Sequence, residues 1–192
     1  MASLLFAFVA VLLFSTGARD QIIVARLSET LGSKARPAVP LLLIACIVSA
    51  GTAAIMTAAG ASIAAILPSA AKTMLVALAL LLAAGELLWP NRMATPEEPT
   101  RSVAAIGAVL FLRQLTDAAR FAIFALAAAT GVPWLAGFGG ALGAMLALTA
   151  AWWMAGEWEA LLPLRLIRVA LGVVTGVLAI VIGLSARGLI GA

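Results

Sequence analysis

Two short polar clusters hold most of the residues in this chain that could do chemistry. The first is Ser15-Thr16-Gly17-Ala18-Arg19-Asp20-Gln21, and the second is Arg113-Gln114-Leu115-Thr116-Asp117-Ala118-Ala119-Arg120. Each lies near the middle of a long apolar segment, where a charge costs roughly 2.5–3.5 kcal/mol on insertion scales. Charges at that depth need a partner, a water-filled cavity or a function. Asp117 is the central charged residue, with Gln114, Ser15 and Asp20 expected to face it and Arg19, Arg113 and Arg120 as its counter-charges. On one continuous helix, Arg113 and Arg120 stand four and three residues from Asp117, so both can reach it. Gln114 and Ser15 offer neutral oxygen ligands or hydrogen bonds across helices. Two readings of this set stand side by side: a neutralised network that holds spans together, and a transport or proton-coupling site.

The rest of the chain decides which elements must position these residues. Of 192 residues, 65% are hydrophobic and 10% charged, with a mean hydropathy of +1.18, which points to an integral membrane protein rather than a soluble domain. The chain has no histidine and a single cysteine, Cys46. That excludes an intramolecular disulfide and zinc sites of the Cys/His type. No nucleophile–base pair stands out, so no enzyme is expected. The net charge of +4 reads as topology rather than nucleic-acid binding, because the basic residues sit at segment ends and in loops. Residues 1–17 resemble a signal peptide in their apolar run, but they lack a basic start and apolar character resumes at Ile22, so a retained helix is expected.

Hydropathy predicts six spans, at about 2–31, 39–65, 71–89, 103–130, 134–155 and 166–185. The first and fourth exceed the length a bilayer needs, and their centres fall on the polar clusters. Tilt or local unwinding there is the expectation, eased by Gly17 in the first and by no glycine in the fourth. Leu67-Pro68-Ser69 and Gly131-Val132-Pro133 predict tight turns, and the breaks near Arg36-Pro37 and Leu162-Pro163 end other spans. All five tryptophans (Trp89, Trp134, Trp152, Trp153 and Trp158) fall near span ends, as an interfacial belt requires. Glu86, near the end of the third span, reads as interfacial. The loops after spans one, three and five carry Lys34, Arg36, Arg92, Arg101, Arg165 and Arg168. By the positive-inside rule those loops are cytoplasmic and both termini lie outside.

The polar clusters, a Pro, a Gly and a Leu-Pro turn recur in one order in the two halves. With three spans per unit, the second unit must be inverted relative to the first. The expected architecture is an all-α membrane protein of six transmembrane helices in two inverted three-helix repeats: residues 1–90, a hydrophilic linker at 91–102, and residues 103–192. A plain six-helix protein rich in Ala, Leu and Gly would also resemble itself. Gly139 with Gly143, and Gly172 with Gly176, have the four-residue spacing that lets helices approach closely.

The stretch Phe111-Leu112-Arg113-Gln114-Leu115-Thr116-Asp117, with Ala125 to Ala128, Gly137 to Leu146, Gly156 and Leu162 to Arg168, is similar to one repeat of the transmembrane protein 165 family. The resemblance implies two inverted halves and exchange of Mn²⁺ or Ca²⁺ for protons. The family signature is Glu-x-Gly-Asp-(Lys/Arg)-(Thr/Ser), once per half. In the first half Ser15 stands at the Glu position, Gly17 is kept, Ala18 replaces Asp, Arg19 keeps the basic position, and Asp20 takes the hydroxyl position. In the second, Gln114 replaces Glu, Thr116 replaces Gly, Asp117 is kept, and Ala118 and Ala119 follow. The resemblance makes Asp117 the candidate metal ligand. Asp117 and Asp20 against Arg19, Arg113 and Arg120 sum to +1 if all five face one cavity, a charge that repels Mn²⁺.

The expected function is therefore Mn²⁺/Ca²⁺ transport, proton-coupled, at the midplane between the first and fourth spans. The alternatives are transport of another substrate such as an anion, and a membrane scaffold that does not transport. The expected setting is a bacterial-type inner (plasma) membrane. The partners are the lipid bilayer and a small inorganic ion, without nucleic acid and with a homo-oligomer allowed. No cofactor is expected beyond Mn²⁺ or Ca²⁺ as the transported substrate.

Overall fold

Long apolar runs between prolines fold as helices, because backbone groups in lipid must be satisfied within the segment. The computed structural model describes residues 1–32, 38–90, 102–155, 157 and 163–189. Among the described residues it contains eight helices and no strand. They are α1 (Ala2–Ser15), α2 (Arg19–Leu31), α3 (Val39–Ile66), α4 (Ser69–Leu88), α5 (Val103–Leu115), α6 (Ala118–Ala129), α7 (Pro133–Met154) and α8 (Leu164–Ala186).

Four helices, α3, α4, α7 and α8, are long and apolar enough to cross a membrane. Each ends within two residues of the span the sequence predicts. Pro40 and Pro133 sit in the first turns of α3 and α7, where a missing N–H costs nothing. Pro68 precedes α4 and Pro163 precedes α8. The expected breaks over 33–37 and most of 156–162, and the linker at 91–101 with Arg92 and Arg101, lie outside the described residues.

The first and fourth spans are not continuous. α1 and α2 together pass as one span bent by 64° at the Thr16–Ala18 break. α5 and α6, of 13 and 12 residues, are each too short to cross alone, at about 1.5 Å of rise per residue. They are separated by Thr116 and Asp117 only.

Packing brings the two breaks together. α1 runs against α7, α4 against α8, and α3 against α5, α6 and α7, while α2 lies along α7. Lipid offers no hydrophobic drive between helices, so close approach through small residues matters. A Cβ on Gly139 would run into the Leu4 carbonyl, and one on Gly143 into the Phe8 carbonyl. Bare backbone there lets α1 lie flat on α7. Val11, Phe14, Ala53, Ala83, Leu87, Ala118, Ala119, Ala122, Ile123 and Ala144 form the central apolar cluster around the breaks. Large apolar side chains such as Phe6, Val9, Val173 and Val177 face outward, as a lipid-facing surface requires. Trp89, Trp134 and Trp153 are exposed, whereas Trp152 is buried and donates its indole N–H to the Ala38 carbonyl at 3.0 Å. Trp152 thus turns into the helix packing rather than outward.

Candidate functional site

The first break is made by a glycine. Gly17 adopts φ +73°, a left-handed conformation that a side chain strongly disfavours. A Cβ there would also sit 3.1 Å from Leu164 Cβ and 3.3 Å from Arg168 Cδ. The Gly17 N–H donates to Gln21 Oε1 at 2.6 Å, and Gln21 Nε2 donates to the Ala147 carbonyl on α7 at 2.9 Å. The amide thus bridges the open start of α2 to a long helix. Ser15 is buried at the end of α1, and its carbonyl accepts from the Ala18 N–H at 3.0 Å.

The second break has no glycine. Asp117 takes the N-cap position of α6 in an extended conformation, but its side chain makes no cap hydrogen bond. Three residues on, Arg120 is fully buried and reaches α3. Its Nε donates to Thr52 Oγ1 at 2.9 Å, and its NH2 nitrogen donates to Ser49 Oγ at 2.9 Å and Gln114 Oε1 at 2.6 Å. Gln114 Nε2 in turn donates to Asp20 Oδ2 at 2.9 Å, and the Gln21 N–H donates to Asp20 Oδ1 at 2.8 Å. One carboxamide therefore ties α2, α3, α5 and α6 together. Gln21 and Arg120 stand 120 − 21 = 99 residues apart, each the third residue of its helix, and each tethers that helix to a long one.

Arg19, Asp20, Glu86, Arg113, Thr116 and Asp117 line a cavity of about 60 Å³, room for a few water molecules. Of the residues singled out in the sequence, Asp117, Asp20, Thr116, Arg19 and Arg113 are brought together there. Gln114, Ser15, Gly17 and Arg120 do not line it, and of these Gln114 holds the lining Asp20 through its carboxamide. Asp117 is 6% exposed, and its Oδ2 has no hydrogen-bond partner. Arg113 and Thr116 are exposed, and the Thr116 hydroxyl contacts the Arg113 carbonyl at 3.4 Å.

Two expectations need correcting. Arg113 and Arg120 do not clasp Asp117 along one helix, because the helix breaks between them and Arg120 turns its donors to Ser49, Thr52 and Gln114. Glu86, expected at the interface, turns its side chain inward from the end of α4. It lines the cavity, and its Oε2 accepts from Arg168 NH2 at 2.7 Å, an ion pair with side-chain exposures of 14% and 2%. Arg168 also donates from NH2 to the Glu86 carbonyl at 3.1 Å, while Arg165 donates to the carbonyls of Leu88 and Trp89. Two arginines at the start of α8 thus satisfy the open C-terminus of α4.

The cavity charge differs from the +1 expected. Its lining holds three carboxylates (Asp20, Glu86, Asp117) and two guanidiniums (Arg19, Arg113), a sum of −1 that the Arg168 guanidinium paired with Glu86 brings to zero. Among the described residues, no three Asp, Glu or Cys side chains converge closely enough to hold a metal ion. Asp20 has both oxygens engaged and Glu86 is engaged by Arg168, which leaves Asp117 as the open carboxylate.

By fold and site, the described residues form a helical assembly with four apolar helices long enough to span a membrane, five if the bent pair is one span, and a polar cavity at two helix breaks. No known protein family, curated protein or solved structure matches the chain.

Proposed function

We propose that this chain is a transporter of a small inorganic cation, exchanged for protons, with Asp117 as the carboxylate that carries the ion. One observation bears most of the weight: Asp117 Oδ2 is buried and unpartnered beside a cavity lined from both helix breaks. A bare carboxylate oxygen in low dielectric is costly, so it has the character of a ligand awaiting a proton or a cation. With Arg168 counted against Glu86 the site is neutral, so the preference for a cation rests on the open Asp117 oxygen.

The architecture suits the task. Discontinuous helices that meet at mid-depth are a recurring way to build ion sites in transporters. The matched tethers of Gln21 to α7 and Arg120 to α3 support two inverted three-helix repeats, at 1–90 and 103–192, rocking against each other. In that scheme α5 and α6 count as the fourth of six spans. Mn²⁺ and Ca²⁺, the ions implied by the family resemblance, are the first candidates. A bacterial-type inner membrane with both termini outside is the corresponding setting.

The test is Mn²⁺ and Ca²⁺ flux into proteoliposomes under a pH gradient, for the unaltered protein and Asp117→Asn. Flux that disappears in the variant supports the reading. Absence of flux from folded, reconstituted protein leaves anion transport or a scaffold role in its place.

A further inference from the structure

A divalent cation in a membrane interior calls for two negative charges close by. The cavity has three carboxylates, and they are not equivalent. Asp117 Oδ2 has no partner. Asp20 accepts from Gln114 Nε2 on one oxygen and from the Gln21 N–H on the other, so it belongs to the network that holds α2 to α5. That leaves Glu86, which faces the same cavity from α4 and is held by Arg168 from α8.

The grip of Arg168 is incomplete. A guanidinium built only to lock a carboxylate uses its fork, two parallel N–H···O bonds. Here a single nitrogen, NH2, makes both contacts with Glu86, one to Oε2 at 2.7 Å and one to the main-chain oxygen at 3.1 Å. Nε and NH1 are buried without any partner, in a side chain 2% exposed. Each such donor carries a desolvation penalty that a fully formed pair would avoid. Arg168 neutralises Glu86 and leaves its own donors unsatisfied.

We propose that Glu86 is the second carboxylate of the cation site and that Arg168 is a tethered competitor for it. With the site empty, Arg168 supplies the positive charge at Glu86. An arriving divalent ion takes Asp117 and Glu86 together and displaces the guanidinium. The two charges of the ion then stand against those of Asp117 and Glu86, and the ion competes with Arg168 for every binding event. This inference rests on the cation reading of Asp117 and adds to it a ligand and a determinant of affinity.

The experiment is Mn²⁺ and Ca²⁺ titration of the purified full chain in detergent, with unfolding temperature read on the same samples. The panel is the unaltered protein, Asp117→Asn, Glu86→Gln, Arg168→Gln and the double variant Glu86→Gln/Arg168→Gln. Removing the competitor should tighten binding by about tenfold in Arg168→Gln, the scale of one unit charge partly screened. Glu86→Gln and the double variant should both bind about tenfold more weakly than the unaltered protein, since both lack the ligand. A purely structural pair gives a different pattern: lower unfolding temperatures in the single variants, recovery in the double, and one affinity throughout. That pattern overturns the proposal. Should Arg168→Gln fail to fold, Glu86→Gln and the double variant, in which no buried charge is left alone, still decide it. No binding by the unaltered protein, or full binding by Asp117→Asn, sinks the cation reading itself. Binding lost in Asp117→Asn but unchanged in Glu86→Gln sinks only the role of Glu86.

Discussion

The two helix breaks solve one geometric problem with different chemistry. At the first, Gly17 supplies the left-handed turn, Ala18 takes the cap position, and Gln21 satisfies the exposed N–H while bonding α7. At the second, Asp117 takes the cap position, no glycine is present, and Arg120 brings a buried charge onto α3. Around the first break Gln21 bonds both the Gly17 N–H and the Ala147 carbonyl, and Asp20 has both carboxylate oxygens engaged. Around the second, Asp117 Oδ2 and Arg120 NH1 lack partners. A break closed by its own hydrogen bonds is a hinge or a support. A break that leaves a buried carboxylate oxygen open beside a cavity is where the proposed ion site lies. If the two units arose by duplication, they have divided the work.

Substitutions can break this contrast, and they should differ in size. Arg120→Leu should have the largest effect on stability. It removes a fully buried charged donor together with its hydrogen bonds to Ser49, Thr52 and Gln114, at a cost of about 3–5 kcal/mol. Thermal unfolding in detergent should show a marked fall in Tm or loss of folded protein, and an unchanged Tm would contradict the anchoring role. Gln21→Leu removes the matching tether but no charge, so a cost of about 1–3 kcal/mol is expected for the lost bonds to the Gly17 N–H and the Ala147 carbonyl. Equal losses in the two variants would erase the distinction between a neutral and a charged anchor. Gly17→Ala forces a side chain into φ +73° and against Leu164 and Arg168, for about 1–2 kcal/mol. The mildest in stability is Asp117→Asn, within about 1 kcal/mol, because its side chain makes no cap bond. Its effect should fall on transport instead.

How far the sequence reveals this arrangement depends on how local each feature is. α3, α4, α7 and α8 were legible because unbroken apolar runs bounded by Pro40, Pro68, Pro133 and Pro163 leave little choice of boundary. The break at Gly17 was legible from its glycine. The break at Thr116–Asp117 was marked only by an N-cap residue before a run of helix formers, a signal easily read as mid-helix. Only on a continuous helix do Arg113 and Arg120 both reach Asp117. Glu86 and Arg168 lie 168 − 86 = 82 residues apart, and each alone looks like an interfacial charge near a span end. Only packing of α8 on α4 turns them into a buried pair. Ser49 and Thr52 were hidden similarly, since small hydroxyl residues on an apolar helix resemble ordinary packing until Arg120 arrives.

The most direct test of the division between the breaks is ion flux per folded molecule for Asp117→Asn and Gln21→Leu, reconstituted side by side under a pH gradient. The expected result is that Asp117→Asn keeps its Tm and loses Mn²⁺ and Ca²⁺ flux, while Gln21→Leu loses stability and keeps flux for the fraction that folds. Flux that survives in Asp117→Asn and vanishes in folded Gln21→Leu would place the working site at the first break and contradict the assignment.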